Sequence, residues 1–111
     1  MPFRSDPVHE VKASLFRVLG HPARVRILEL LREGERSVGT LQTELRLDSG
    51  GTSQHLAALR RVGVVESRRE GTSVYYRVDD PSVFDLLAVG RAIITRQLAD
   101  QQSILRELET T

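Results

Sequence analysis

The sequence predicts a mainly α fold with one small β-hairpin, in the order α-α-α-α-β-β-α. Three observations predict it. Apolar residues recur at three- and four-residue spacing over most of the chain. Proline stands at three helix-start positions, in Asp6-Pro7, His21-Pro22 and Asp80-Pro81. There its fixed φ and missing N–H do no harm. Two β-prone runs, Val64–Arg69 and Ser73–Val78, flank a turn at Gly71.

The first helix runs from about Pro7 to Leu19, with Val8, Val11, Leu15 and Val18 as its apolar stripe and Gly20 as its stop. Asp6 is placed to cap its free amides. The second runs from about Pro22 to Glu33 and ends before Gly34; His21 is its capping residue. Val25, Leu28 and Leu31 face inward, with Ile27 and Leu30 beside them, a content that implies a central, buried helix. Ser37 caps a short third helix, in which Val38, Leu41 and Leu45 repeat at i, i+3 and i+7. Leu47-Asp48-Ser49 forms a turn, Ser49 caps the fourth helix, and Gly63 is placed to end that helix in the left-handed conformation.

The last helix runs from Pro81 to about Glu109. It is too long to be covered by so small a body, so its apolar stripe calls for a partner helix. The expected chain is one domain, 1–111, whose terminal helices make a homodimer. Its seam is Val8, Val11 and Leu15 with Phe84, Leu87, Ile94, Leu98, Leu105 and Leu108.

Composition narrows the function. The content, 40% apolar and 28% charged, is ordinary for a soluble protein, and the net charge is only +1. The distribution is less even. Residues 46–77 carry six Arg (46, 60, 61, 68, 69, 77) against Asp48, Glu66 and Glu70, a balance of +3. Residues 78–111 carry three Arg against six acids, a balance of −3. Positive charge therefore gathers on the fourth helix and the hairpin. All but one of the basic residues are Arg, which suits phosphate forks and equally reflects a GC-rich genome. With no cysteine there is no disulfide, thiolate metal site or thiol switch. No apolar run reaches signal-peptide or membrane length, so a cytoplasmic protein with no membrane partner is expected. No Cys nucleophile, phosphate-binding Gly loop or His-carboxylate cluster marks an enzyme.

The fourth helix carries the functional signal. At about 100° per residue, Thr52, Leu56, Leu59 and Gly63 share one face, Gln54, Ala57, Ala58 and Arg61 lie opposite, and Ser53 and His55 sit on the flanks. An apolar back and a polar front, followed at once by an arginine-bearing hairpin, suit a helix that reads a major groove. Gln54 matches an adenine edge; Arg61 reaches a base or a phosphate. The expected DNA-contacting set is Ser49, Gly51, Thr52, Ser53, Gln54, His55, Ala58 and Arg61, with Arg68, Arg69 and Arg77 on phosphates. The competing reading is an amphipathic surface helix with a solvated polar side.

Three motifs carry a resemblance to the ArsR/SmtB family of small dimeric winged-helix repressors. They are Phe16-Arg17-Val18-Leu19-Gly20-His21-Pro22-Ala23-Arg24-Val25-Arg26-Ile27-Leu28, Ser53-Gln54-His55-Leu56-Ala57-Ala58-Leu59-Arg60-Arg61-Val62-Gly63-Val64-Val65, and Arg68-Arg69-Glu70-Gly71 with Tyr75-Tyr76-Arg77. The match spans about residues 11–108. The resemblance implies a winged helix-turn-helix fold, a dimer built from first and last helices, a double-stranded palindromic operator, and repression relieved by a metal or another effector. A winged-helix protein–protein module without operator binding is the alternative from another class.

Both metal sites familiar in the family are missing. Its Cys-Val-Cys-Asp pattern is matched here by Ser37-Val38-Gly39-Thr40, which offers no thiolate. The last helix has Asp85, Asp100, Glu107 and Glu109 but no His. His9 with Asp6 and Glu10 is left as a weak nickel or zinc site or a solvated first turn. In the resemblance His55 is structural or phosphate-directed. Gly50-Gly51 departs from the polar residues usual there. It reads either as close backbone approach to phosphate or as a frayed first turn.

Overall fold

The computed structural model describes residues 3–4 and 6–110. Its elements are α1 (Pro7–Leu19), α2 (Pro22–Leu31), β1 (Arg36–Ser37), α3 (Val38–Leu45), α4 (Ser49–Arg61), β2 (Glu66–Glu70), β3 (Ser73–Arg77) and α5 (Ser82–Thr110). They fall into two compact units, one up to Asp80 and one from Pro81 onward.

The core of the first unit is apolar and continuous. Ile27 and Leu28 of α2, Leu41 of α3, Leu56 and Leu59 of α4, and Val65 ahead of β2 are fully shielded from water, with Leu30 and Leu31 nearly so. Ile27 and Leu30, expected beside the inward stripe of α2, lie within it, and Val25 is only half-buried.

The helix ends follow from local chemistry. His21 caps α2: its Nδ1 accepts the Ala23 N–H at 3.0 Å. Asp6 precedes α1 but makes no side-chain capping bond. α2 stops at Leu31, short of the expected Glu33, where the backbone tightens (Gly34 N–H to Leu31 O, 3.1 Å). The Arg36 Nε then donates to the Leu30 carbonyl at 3.0 Å, satisfying one of the orphan acceptors of that end. Ser37 caps α3 as expected, its Oγ accepting from Thr40 N–H at 3.1 Å. The cap of α4 is Asp48, not Ser49: Asp48 Oδ1 accepts the Gly51 N–H at 2.6 Å, and Ser49 is the first residue of the helix.

Two helix ends use the same C-terminal motif with different residues. After α4, Gly63 has φ 79°, Gly63 N–H bonds Arg60 O at 3.0 Å and Val64 N–H bonds Leu59 O at 3.2 Å. After α3, Arg46 takes the left-handed position at φ 55°, and Leu47 N–H reaches Gln42 O at 3.2 Å. Both are Schellman turns. Arg46 is the one described non-glycine residue with positive φ, and it sets the bend between α3 and α4.

The sheet has three antiparallel strands in the order β1-β3-β2, where two were expected. The added strand is two residues long, pairing Arg36 with Tyr76 and Ser37 with Tyr75. Two residues show no alternation, so no period announces them. The hairpin registers Ser67 with Tyr76, Arg68 with Tyr75 and Arg69 with Val74, around Gly71 at φ 61°.

α5 forms the second unit and runs 29 residues, one position later than expected at each end. Val89, Ile93, Ile94, Leu98, Ile104, Leu105 and Leu108 are all more than half exposed along it. On α1, Val8, Val11 and Phe16 are exposed as well. No helix among the described residues is long and apolar enough to cross a membrane.

Candidate nucleic-acid interface

α4 turns Leu56 and Leu59 into the core and presents Ser53, Gln54, Ala57, Arg60 and Arg61 outward. Two residues of the expected contact set are corrected here. Thr52 is 0% exposed, its Oγ1 donating to the Asp48 carbonyl at 2.9 Å, so it is part of the first turn's internal bonding. Ala58 is 5% exposed. The buried arc of α4 is wider on the Ala58 side than four apolar positions indicated, and an alanine gives no polarity by which to tell.

The first turn is helical from Ser49 and closed by the Asp48 cap. Asp48 supplies the negative charge that the helix N-terminus favours. A Cβ on Gly51 would meet Asp48 Oδ1 at 3.0 Å, so the cap uses the missing side chain. A Cβ on Gly50 would meet nothing closer than 3.8 Å, and Ser49 and Gly50 are exposed.

His55 is half-buried on the flank of α4. Its Nδ1 accepts from Arg24 Nε at 3.1 Å, and its ring lies 4.4 Å from that of His21. Arg24 also donates through Nη1 to Val18 O at 3.3 Å, so one guanidinium joins α1, α2 and α4. Burial, then the charges of His21 and Arg24, hold the His55 pKa below its usual value. Its Nδ1 is thus engaged inside the protein, as the structural one of its two expected roles requires.

Beside α4, Ala57, Arg60, Arg61 and Tyr76 line a shallow cleft between the helix and β3. Arg60 and Tyr76 were not among the expected site residues. Arg60 has the same charge as its neighbour Arg61, but only the packing of β3 brings Tyr76 to it. Arg61 is exposed, and its Nε makes a long bond to Ala57 O, 3.5 Å. A second groove runs between the start of α3 (Ser37, Val38, Gly39), Ser53 and the hairpin tip (Thr72, Ser73, Val74).

The three hairpin arginines differ. The Arg69 side chain is exposed and makes no hydrogen bond or ion pair with another described residue. Arg77 Nε donates to Asp79 Oδ1 at 2.8 Å. Arg68 is engaged at all three guanidinium nitrogens: Nε and Nη2 fork onto Glu35 at 2.9 and 2.6 Å, Nη1 bonds Glu70 Oε2 at 2.8 Å, and the guanidinium lies 4.6 Å from the Tyr75 ring centre. The hydrogen bond from Arg68 holds the Glu35 pKa below the usual carboxylate range, and those to Glu35 and Glu70 raise that of Arg68.

His9 lies outside this surface. Its Nδ1 is 3.9 Å from Asp6 Oδ2, and among the described residues no three His, Cys, Asp or Glu side chains gather as metal ligands would.

Comparison with known proteins places these features in a family. Residues 21–67 match the model described as bacterial regulatory protein, arsR family. The chain is 46% identical over 105 residues to the uncharacterized HTH-type transcriptional regulator Rv0081 of Mycobacterium tuberculosis, covering 94% of this chain and 92% of that one. The crystal structure of Rv0081 superposes with a TM-score of 0.81 at 47% identity, over 87% of this chain and 98% of that one. The solution structure of a homodimeric winged helix-turn-helix DNA-binding domain, Mb0332 from Mycobacterium bovis, gives 0.75 at 34% identity, covering 88% and 94%. A biofilm growth-associated repressor of Agrobacterium fabrum is 37% identical over 81 residues, 73% of this chain and 69% of that protein.

Proposed function

The chain belongs to the ArsR family of bacterial regulatory proteins, winged helix-turn-helix transcriptional regulators, and from that premise we propose that it is a dimeric repressor of a palindromic operator in the cytoplasm. The observation that carries this reading is the outward face of α4. It offers Ser53, Gln54 and Arg61 over the small Ala57, with a guanidinium-lined cleft at its edge. Such a face approaches base edges closely and holds phosphate beside them.

The roles divide by chemistry. Gln54 reads an adenine edge and Ser53 a neighbouring base. Arg60 and Arg61 take phosphate in the cleft with Tyr76, and Arg69 and Arg77 take phosphate along the hairpin. Ser49 and Gly51, at the start of α4, sit where backbone comes near the sugar–phosphate chain. The dimer forms through Val8, Val11 and Leu15 of α1 and Phe84, Leu87, Ile94, Leu98, Leu105 and Leu108 of α5. The homodimeric Mb0332 domain and the exposed apolar stripe of α5 support that part. Repression is the sense carried by the name of the Agrobacterium relative.

Fluorescence anisotropy against fragments around the protein's own gene tests the reading. One fragment should bind far more tightly than the rest. Gln54→Ala should then lose roughly 1–3 kcal/mol of discrimination at one base pair. Arg61→Ala should weaken all DNA alike and flatten the salt dependence by about one phosphate. Equal, weak binding to every fragment would overturn the operator reading and favour a protein partner.

A further inference from the structure

The wing's most basic-looking element is not all available to DNA. We propose that Arg68 is a positioning residue of the wing rather than a DNA ligand, held by Glu35 so that the hairpin stands at a set place beside α4. The proposal rests on the DNA-binding reading above.

The geometry gives the reason. Glu35 immediately precedes β1, at one edge of the β1-β3-β2 sheet, and Arg68 lies on β2 at the other edge. Between them is Tyr75 of β3, the cross-strand partner of Arg68, whose ring the guanidinium covers. One side chain thus spans the sheet from β2 across β3 to the residue ahead of β1, next to Arg36, whose Nε bonds the Leu30 carbonyl of α2. The bond is a two-pronged fork, the geometry at which Arg is strongest. Glu70, two residues along the same strand and therefore on the same face, takes the remaining Nη.

Charge decides against phosphate. Arg68 brings one positive charge to a cluster that Glu35 and Glu70 make negative by one. A phosphate approaching its guanidinium meets the repulsion of the two carboxylates bound to it. Arg69 faces the other side of the strand, registered with Val74, and has no acid paired to it among the described residues. The Arg68-Arg69 pair therefore divides the work: one brace and one phosphate contact.

Four proteins separate this from its rival, in which the acids only shield a DNA-binding Arg68. They are wild type, Glu35→Ala, Arg68→Ala and Arg69→Ala, each measured for salt-dependent DNA affinity and for amide hydrogen exchange without DNA. Bracing predicts that Glu35→Ala and Arg68→Ala both lose protection in β2 and β3 and both bind severalfold more weakly with the wild-type salt slope. Arg69→Ala should keep wing protection and lose about one unit of slope. The proposal is overturned if Glu35→Ala binds more tightly with a steeper slope, or if Arg68→Ala loses a unit of slope with wing protection intact. Arg68→Gln stands in should the alanine variant not fold. If wild type binds no DNA, the operator reading fails instead. The exchange arm then decides alone, since unchanged wing protection in Glu35→Ala and Arg68→Ala overturns the brace.

Discussion

Between Arg24 and His21, the His55 ring resists protonation more than a free imidazole does. Burial removes the water a proton would need, and His21 and Arg24 add to the penalty. Because the folded-state pKa lies below the ordinary 6.5, the unfolded chain takes up the proton first as pH falls. The stability His55 contributes is therefore complete above about 6.5 and is lost as pH falls through the lower folded value. Thermal melts of wild type should drop more between pH 7 and pH 5 than those of His55→Gln, whose amide oxygen still accepts from Arg24. Parallel pH profiles for the two proteins would remove His55 from the account. At this scale the sequence was readable where polarity marks a side, as at Gln54 and Leu56. It misleads at Ala58, where a bare methyl carries no sign of direction, whereas Thr52 stands in the expected contact set although its spacing to Leu56 and Leu59 already puts it on the buried face. Arg46 gave no warning either. A left-handed arginine costs roughly 1–2 kcal/mol relative to its favoured conformations, and only the completed turn between α3 and α4 shows why it is there.

At the scale of elements, α1 was legible to the residue and α5 to within one position, because proline starts and apolar stripes act over many residues. The α4 cap slipped by one since Asp48 and Ser49 are both good N-caps and differ only in which reaches the Gly51 amide. β1 was invisible because its pairing with Tyr75 and Tyr76 is tertiary, not local. The α5 stripe makes the sharpest claim of this kind. Seven large apolar side chains exposed along one helix are more than a lone surface helix usually leaves in water. Replacing Leu98 by Asp would place an unpaired charge in the proposed seam. Light scattering at micromolar concentration should show a wild-type dimer and a Leu98→Asp monomer. A monomeric wild type would mean that the stripe serves another partner.

For the whole molecule, charge is arranged as the proposed function needs. The basic excess lies between residues 46 and 77 and the acidic excess beyond, so on the proposed reading α4 and the hairpin carry the attraction for DNA. That asymmetry was plain in the sequence, whereas the assignment of Arg68 to a brace emerged only once Glu35, 33 residues away, came beside it. A two-fold dimer must present its two α4 helices as a symmetric pair. Both Gln54 faces enter major grooves on one side of the duplex only if the half-sites are centred one helical turn apart, roughly 34–36 Å. The hairpins, with Arg69 beside Gly71, then lie outside the half-sites and lengthen the protected region. Inserting about five base pairs between half-sites turns one onto the opposite side of the duplex. Affinity for that spaced operator should fall to the level of unrelated DNA, and an insertion of a full turn should restore part of it. Full affinity at the half-turn insertion would show each subunit binding alone, and the symmetric dimer would no longer explain recognition.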